Sequence, residues 1–170
     1  MPKAGIQFQK KDEYNTPKEV VDFFGPFDYD PATTKEQAEY LGIPHYDTIE
    51  TDGLRPDAYW EDYDKIWINP PFTRKSEFLK RAVECYDNGG AFICILLPIE
   101  YLTTKEFHRI MEGVGYHLFI PNGRIKFDDG SGKPSSPAFG SCVIEFGSHD
   151  LDFTKDKREN TFSHWRLHDN

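Results

Sequence analysis

The sequence lacks any long apolar run and contains few cysteines. No run approaches the roughly 18 residues that a membrane-spanning helix needs, so we expect no membrane segment. The amino terminus has no charged region followed by an apolar segment, so we expect no signal peptide. The three cysteines, Cys85, Cys94 and Cys142, are far apart in sequence. This pattern is typical of reduced core cysteines in a cytoplasmic protein.

Several signatures of catalysis are also lacking. The six histidines are scattered and no cysteine pair accompanies them, so no metal-ligand spacing is present and we expect no metal. Ser135-Ser136 is not set in a nucleophile elbow, and the chain has no P-loop. The net charge of −9 argues against a protein that coats DNA, but not against an enzyme that grips DNA through a local basic patch.

Strand and helix patterns alternate along a chain of 170 residues, which is long enough for one sizeable core. The sequence predicts strands at 27–30, 46–50, 66–68, 91–97 and 116–120, and the unbroken apolar run at 91–97 is the strongest of these signals. Segments 123–127 and 140–146 flank a loop rich in Gly, Ser, Pro and Asp, which predicts a hairpin. The sequence therefore predicts a single-domain α/β fold, a Rossmann-like sheet that is mostly parallel with an antiparallel C-terminal hairpin at its edge.

Helix starts are marked by three Thr-x-x-Glu capping boxes, beginning at Thr16, Thr33 and Thr103. Another helical pattern covers 78–86 and ends at Asn88-Gly89-Gly90. We interpret residues 1–13 as a flexible arm, 14–146 as one domain and 147–170 as a polar tail. No separate domain for target recognition fits within this length, and the sequence leaves the oligomeric state open.

The strongest chemical signal lies at residues 66–72. A short apolar strand must stop at Pro70-Pro71, because two prolines remove two backbone donors. The resulting turn presents an amide side chain, a carbonyl and an aromatic ring at the carboxyl end of a strand, where α/β sheets bind ligands. The Asn69 side-chain oxygen and the Pro70 carbonyl can accept both protons of an exocyclic amine, while Phe72 stacks on its ring. The alternative is a proline-ended strand with a core phenylalanine.

Asn69-Pro70-Pro71-Phe72 resembles the Asn/Asp-Pro-Pro-Tyr/Phe signature of amino-methyltransferases that use S-adenosylmethionine. Over residues 14–146 the chain is similar to the compact, phage-type Dam-like DNA N6-adenine methyltransferases. The resemblance implies that adenine is flipped out of double-stranded DNA and methylated, in a bacterial or phage-infected cell. The further pieces that carry it are Thr16-Pro17, residues 27–32, Asp52-Gly53-Leu54, Leu96-Leu97-Pro98 and residues 123–127.

The resemblance also implies which residues bind the cofactor. A carboxylate at the end of the first strand, Asp30, would pair with the ammonium of the methionine moiety, and Asp52 would read the adenine amine. The alternatives are simple turns at both places. Ala32-Thr33-Thr34 stands where the class usually has a Gly-x-Gly loop. The implied cofactor residues are Tyr14, Asn15, Thr16, Pro17, Asp30, Pro31, Ala32, Asp52, Leu54 and Asn69.

The implied catalytic residues are Asn69, Pro70, Pro71 and Phe72. For DNA contact we select an aromatic ring and the basic side chains nearest the signature and the hairpin. The alternative for each basic side chain is that it lies on a solvated surface and does not contact DNA. Two other functions stay open: methylation of protein glutamine or RNA, and a catalytically silent binding module. Glutamine enzymes normally carry a Gly-x-Gly loop and a helical domain. The implied DNA-binding residues are Phe72, Arg74, Lys75, Arg124, Lys126 and Lys133.

Overall fold

A computed structural model describes residues 15–128, 134–135, 140–147 and 161–165. One mixed sheet of seven strands, in the order β2-β1-β3-β4-β8-β5-β9, forms the centre of the fold. The strands are β1 Tyr29–Asp30, β2 His45–Tyr46, β3 Lys65–Ile68, β4 Phe92–Pro98, β5 His117–Pro121, β6 Phe127–Asp128, β7 Pro134–Ser135, β8 Ser141–Phe146 and β9 Thr161–Trp165.

The helices are short, and 3₁₀ turns lead into two of them. The α-helices are α1 Lys18–Phe24, α2 Lys35–Leu41, α3 Lys75–Asp87 and α4 Lys105–Ile110. The 3₁₀ turns are Trp60–Asp62, Phe72–Arg74 and Ile99–Thr103. Strands alternating with helices around a mostly parallel sheet confirm the Rossmann-like α/β fold. Among the described residues, no helix is both long and apolar enough to cross a membrane.

The antiparallel strand lies inside the sheet rather than at its edge. Strands β2, β1, β3 and β4 are parallel neighbours, and β8 then runs antiparallel between β4 and β5. The predicted pairing of 123–127 with 140–146 is therefore wrong, since Phe127–Asp128 pairs with Pro134–Ser135 instead. The reason is burial: every residue of β8 is buried, as expected for a strand covered on both faces. Strand β9, within the polar tail, pairs parallel with β5.

Core side chains alternate between the two faces of the sheet. Ile66 and Ile68 join one apolar cluster, and Trp67 between them joins the other, as the period of a strand requires. Trp60 and Trp67 are fully buried. All three cysteines are free and buried, and burial raises the pKa of each thiol.

Two of the three capping boxes act one residue later than predicted. Thr34 and Thr104 accept hydrogen bonds from the backbone N–H of Gln37 and Phe107, so their side chains cap α2 and α4. The first box is wrong as a cap. Pro17 occupies the N-cap of α1 and there is no side-chain cap, while the Thr16 hydroxyl accepts a hydrogen bond from Asn69.

The predicted strand 46–50 is also shorter than expected, because β2 ends at Tyr46. The Thr51 hydroxyl oxygen accepts a hydrogen bond from the Thr48 backbone N–H at 2.8 Å. The Asp52 backbone N–H donates to the Thr48 carbonyl, also at 2.8 Å. Local bonds of this kind compete with a strand ladder, so the chain turns here toward the end of β1.

Candidate active site

A cavity of about 200 Å³ lies where the carboxyl ends of β1, β2 and β3 meet. The chain passes from β1 to β2 on one side, and β3 pairs with β1 on the other. The direction of winding therefore changes between β1 and β3, the position at which open α/β sheets bind ligands. The walls come from the segments that follow the three strands and from Asn15 and Thr16.

The end of β3 is fixed by its two prolines. Strand β3 stops at Ile68, and the Arg74 backbone N–H donates to the Pro71 carbonyl at 2.9 Å, which closes the turn. Pro70 is buried, whereas Asn69 and Pro71 reach the cavity wall. The strand therefore delivers the amide of Asn69 to the cavity on a rigid support.

The Asn69 side chain is held by Thr16. Its Nδ2 donates to the Thr16 hydroxyl oxygen at 2.9 Å. Thr16 is buried, and its backbone carbonyl accepts a hydrogen bond from Gln37 Nε2 at 2.9 Å. The start of α1, the first turn of α2 and the end of β3 are thus joined at one wall of the cavity.

Asp30 lies directly behind another wall. Its carboxyl is buried, and Oδ1 accepts a hydrogen bond from the Ala32 backbone N–H at 2.9 Å. Burial raises the Asp30 pKa to about 7, and the Ala32 hydrogen bond opposes this rise. Pro31 and Ala32 line the cavity, whereas Asp30 itself does not. The interpretation as a turn is therefore observed, and an ionisable carboxyl is buried within one residue of the cavity.

The Asp52-Gly53-Leu54 segment also forms a turn against the end of β1. Asp52 Oδ1 accepts from the Leu54 backbone N–H at 3.0 Å, and Asp52 has a φ of 59°. A Cβ on Gly53 would come within 2.1 Å of the Pro31 carbonyl oxygen, so only glycine permits this approach. The alternative interpretation as a turn before glycine is thus observed. The Asp52 side chain nevertheless lines the cavity, and its Oδ1 lies 3.7 Å from Arg74 Nη1.

Phe72 lies outside the cavity lining, with 41% of its surface exposed. The Lys75 ammonium lies 4.3 Å from the centre of the Phe72 ring and donates to the Phe72 carbonyl at 3.0 Å. The same ammonium lies 5.2 Å from the Tyr101 ring. Cation–π contacts of this kind are favourable for an exposed ring. An aromatic surface therefore adjoins the cavity mouth and carries a cation on its face.

The structure brings most of the implied cofactor residues to one cavity. Those in its lining are Asn15, Thr16, Pro31, Ala32, Asp52 and Asn69. Pro17, Asp30 and Leu54 are absent from the lining, and Tyr14 is outside the described residues.

The implied DNA-binding residues are spread over two places. Arg74 lines the cavity and its Nε pairs with Glu77 Oε2 at 2.7 Å. Arg124 and Lys126 are exposed between β5 and β6 and do not line the cavity. Lys133 is outside the described residues.

Sequence reasoning missed several lining residues, notably Gln37, Ile49 and Phe78. The capping box before α2 offered a signal for Gln37, because it placed this residue in a first turn next to the end of β1. No signal distinguished Ile49, which is 60% exposed at the cavity although its sequence position suggested a strand. Within the described ranges, no group of three His, Cys, Asp or Glu residues could hold a metal ion.

Comparison with known proteins gives a family match across most of the chain. The family model described as "DNA N-6-adenine-methyltransferase (Dam)" matches residues 3–144. A DNA N-6-adenine-methyltransferase of Escherichia phage T1 is 29% identical over 97 residues, which are 55% of this chain and 38% of that protein. This chain therefore spans well under half the length of that relative.

Solved methyltransferase structures are more distant. One, described as "a predicted O-methyltransferase, protein Atu636 from Agrobacterium tumefaciens", is 11% identical with a TM-score of 0.40, over 82% of this chain and 67% of that chain. Another, described as "a putative class i s-adenosylmethionine-dependent methyltransferase (lmo1582) from listeria monocytogenes", is 15% identical with a TM-score of 0.41, over 78% of this chain and 46% of that chain.

Proposed function

Because this chain belongs to the Dam family of DNA N-6-adenine-methyltransferases, we propose that it transfers a methyl group from S-adenosylmethionine to the N6 amine of adenine in double-stranded DNA. One observation carries the proposal. The turn Asn69-Pro70-Pro71-Phe72 follows β3 at the position where the sheet changes its winding direction, and Asn69 lies in the wall of the cavity there. A nucleotide-like cofactor and the amine that accepts its methyl group would meet at this position.

The cavity has the mixed lining that S-adenosylmethionine requires. Ile49 and Phe78 offer apolar surface for a flat purine ring, while Asp52 and Thr48 offer polar groups to its edges. The close contact of Gly53 with Pro31 brings the loop after β2 against the loop after β1, in place of a Gly-x-Gly turn. When bound, the cofactor supplies an electrophilic methyl group on a sulfonium centre. The implied residues Asn15, Thr16, Pro31, Ala32, Asp52 and Asn69 line this space.

We assign Asp30 to the ammonium of the cofactor's methionine moiety. Its carboxyl lies behind Ala32, and burial raises its pKa to about 7, so the ionised form gains stability from a positive charge brought nearby. We keep Tyr14, Pro17 and Leu54 as supports of the same site. Pro17 adjoins Thr16, and Leu54 completes the turn that orients Asp52.

The end of β3 would prepare the acceptor amine. The Asn69 side-chain oxygen and the Pro70 carbonyl accept the two N6 protons of a flipped adenine, which directs the nitrogen lone pair toward the methyl group. Phe72 stacks on the base, and it has exposed ring surface for this. Fixed acceptors aimed at the developing positive charge, with the reacting atoms held about 3 Å apart, supply much of the rate enhancement.

Two groups of basic residues would hold the duplex. Lys75 lies against Phe72, and Arg74 adjoins the cavity, so both are suited to phosphates beside the flipped base. Arg124 and Lys126 are exposed after β5, and with Lys133 they would contact a groove or the backbone. Arginine can bind either a base edge or a phosphate, which makes Arg124 the best candidate for recognition.

Incubation with labelled S-adenosylmethionine and DNA of mixed sequence tests this proposal directly. The DNA is then digested and its nucleosides are analysed, with RNA and protein offered as acceptors in parallel. We expect labelled N6-methyladenine in the DNA and no comparable label elsewhere. Label on cytosine, RNA or glutamine, or cofactor binding with no transfer to any acceptor, would contradict the proposal. Mapping of the modified positions would then give the recognition sequence.

A further inference from the structure

The loop that follows β2 supplies one wall of the cavity. We call residues 47–52 the β2 loop, and three of its residues, Thr48, Ile49 and Asp52, line the cavity. Asp52 has a φ of 59°, in the left-handed region that residues with a side chain seldom adopt. Because the backbone alone disfavours this shape, contacts with other residues must hold the loop in it.

Arg55 ties the β2 loop together from outside the cavity. Its Nη1 donates to Asp47 Oδ1 at 2.6 Å and to the backbone carbonyls of Thr51 and Asp52 at 3.3 and 3.2 Å. The Asp52 carbonyl also accepts the Arg55 backbone N–H at 3.0 Å. Arg55 itself does not line the cavity. One nitrogen atom therefore connects the first residue of the loop with its last two.

Asp47 fixes the other side of this contact to the sheet. Its carboxyl is buried and accepts a hydrogen bond from the Tyr29 hydroxyl on β1. Its backbone N–H donates to the Asp30 carbonyl at 2.9 Å, and its own carbonyl accepts from the Thr33 backbone N–H at 3.0 Å. A bond from Arg55 to Asp47 therefore holds the loop against the carboxyl end of β1.

A simpler role for Arg55 would be to neutralise Asp47, because a buried carboxylate needs a positive partner. The contacts of Nη1 with the Thr51 and Asp52 carbonyls go beyond this role, since these carbonyls carry no net charge. Arg55 also has a charge partner outside the loop. Its Nε lies 3.2 Å from Asp57 Oδ1, and the Asp57 side chain is 75% exposed.

We propose that Arg55 is a positioning residue for cofactor binding. It holds the β2 loop so that Thr48, Ile49 and Asp52 keep their places in the cavity wall, beside the adenosine portion of the cofactor. This inference rests on the proposed function, because that function identifies the cofactor as S-adenosylmethionine. It adds to the site a residue that acts from outside the cavity.

Arg55→Met keeps an unbranched side chain and removes the charge and every donor. We expect the affinity for S-adenosylmethionine, measured by calorimetry, to fall about fivefold to tenfold, the effect of losing hydrogen bonds that shape the site. The affinity for adenosine, measured by competition, should fall by a similar factor, because the β2 loop faces that portion. Turnover at saturating DNA and cofactor should stay within about twofold of the parent.

Two single variants serve as controls. Arg55→Lys should regain part of the lost affinity, because the loop contacts of Arg55 come from one nitrogen and a lysine ammonium also carries its donors on one nitrogen. Asp57→Asn removes the exposed charge partner and leaves the loop contacts in place, so it should bind both ligands as the parent does. A loss in Asp57→Asn equal to that in Arg55→Met would contradict the proposal.

The double variant Asp47→Asn/Arg55→Met separates positioning from neutralisation. It removes both charges and so leaves no buried carboxylate without a positive partner. If Arg55 acts by holding the loop carbonyls, the double variant should keep the loss of cofactor affinity. Recovery of parental affinity would show that Arg55 only neutralises Asp47, and would overturn the proposal. Thermal unfolding of each variant confirms that the fold is intact.

Hydrogen exchange tests the loop without cofactor or DNA. The Asp52 backbone N–H donates to the Thr48 carbonyl at 2.8 Å, and the Leu54 backbone N–H donates to Asp52 Oδ1 at 3.0 Å. We expect both amides, followed by NMR, to exchange about tenfold faster in Arg55→Met and at the parental rate in Asp57→Asn.

Unchanged exchange in Arg55→Met, or unchanged affinity for adenosine in that variant, would overturn the proposal. Failure of the proposed function would look different. If the parent bound no S-adenosylmethionine but the two amides still exchanged faster in Arg55→Met, the proposed function would fail while the role of Arg55 in holding the β2 loop stood.

Discussion

Strands β3 and β4 are neighbours that end in similar ways and serve different purposes. They run parallel, with Ile66 opposite Ile93 and Ile68 opposite Ile95. Prolines terminate both: Pro70-Pro71 follows β3, and Pro98 is the last residue of β4. Each strand then leads through a 3₁₀ turn into an α-helix. A proline-ended buried strand is therefore a structural device that this fold uses twice.

The difference lies in the residue before the proline and in what faces it. Leu97 before Pro98 is fully buried in the core, whereas Asn69 before Pro70 lines the cavity. The end of β4 is paired with the start of β8, since Pro98 lies opposite Ser141 and the Ile99 backbone N–H donates to the carbonyl of the preceding Gly140 at 2.9 Å. The end of β3 lies beside β1, at the position where the winding direction of the sheet changes. What distinguishes the two turns is therefore the amide at the open strand end and not the proline, in keeping with the role that we propose for Asn69.

The largest expected effect comes from replacing the amide that distinguishes the two turns. Asn69→Ala should lower the rate of methyl transfer about 10²–10³-fold, as does the loss of one electrostatically matched hydrogen-bonding group in other enzymes. Asn69→Asp keeps an acceptor of the same size and should retain measurable methylation. Single-turnover assays at saturating DNA and cofactor would compare the proteins, with cofactor binding retained in both variants.

Ile99→Ala is the matched control in the turn after β4. Ile99 is 36% exposed, lies one residue beyond Pro98 and does not line the cavity, so its loss should change the rate no more than about twofold, in line with a partly exposed residue. If Asn69→Ala matched the parent, or if both variants lost activity equally, the contrast between the two turns would be wrong.

The sequence predicted the parts of the site that depend on local rules. Strand β3, its proline-ended turn and the following helix come from hydrophobic period and proline chemistry, and they are present within three residues of the expected bounds. The cavity at the end of β3 also follows, because the position of an α/β binding site depends on strand order.

Other features depend on contacts between distant segments, which sequence patterns do not encode. Strand β8 joins β4 and β5 rather than a neighbouring segment, since pairing partners are chosen by burial and not by proximity along the chain. The Thr16 hydroxyl had an ordinary local use as a cap, and only the folded chain brings it to Asn69. Tertiary contacts replaced the local preference in both cases.

The next effect concerns β1, which forms the other side of the open strand end. Asp30→Ala should weaken cofactor binding by about 1.5–3 kcal/mol, the contribution of a charge-assisted contact. Burial raises the Asp30 pKa to about 7, so the parent should bind cofactor more tightly as pH rises through about 7, where the carboxyl ionises. The variant should lack this dependence. Calorimetry across that pH range measures both effects.

Glu145→Gln provides the control for Asp30, since Glu145 is also a buried carboxyl whose pKa is raised by burial. It lies on β8 beside Cys94, away from the open strand end, so its replacement should leave cofactor affinity unchanged.

The pH dependence of folding stability gives a second check on Asp30. A raised carboxyl pKa makes the folded state less stable as pH rises from about 4 to about 7, and Asp30→Ala should remove the part of that fall that Asp30 contributes. Unchanged cofactor affinity in Asp30→Ala would remove Asp30 from the site.

A smaller effect is expected at Arg124, outside both strand ends. Arg124→Ala should lower DNA affinity severalfold without changing cofactor affinity. A phosphate contact predicts a uniform loss with a salt slope shallower by about one, whereas a base contact predicts relaxed specificity. Lys65→Ala is the control. Lys65 begins β3 and its ammonium lies over the Phe92 ring, at the amino ends of the strands and opposite to the cavity. DNA affinity is measured at several salt concentrations. If Arg124→Ala and Lys65→Ala changed it alike, the assignment of Arg124 to DNA contact would be wrong.

The smallest expected effect follows from the kind of groups that the open strand end presents. In our proposal Asn69 and Pro70 offer neutral oxygen acceptors, and the described part of the chain contains no cluster of metal-ligating side chains. The lone pair of the amine is itself the nucleophile, so neither a metal-bound hydroxide nor a Lewis acid is required. Treatment with EDTA should therefore leave the rate of methyl transfer unchanged at constant ionic strength, with sodium chloride as the matched control. If EDTA abolished activity and one divalent ion restored it, methyl transfer would require a metal ion. The explanation of the end of β3 by neutral oxygen acceptors alone would then be wrong.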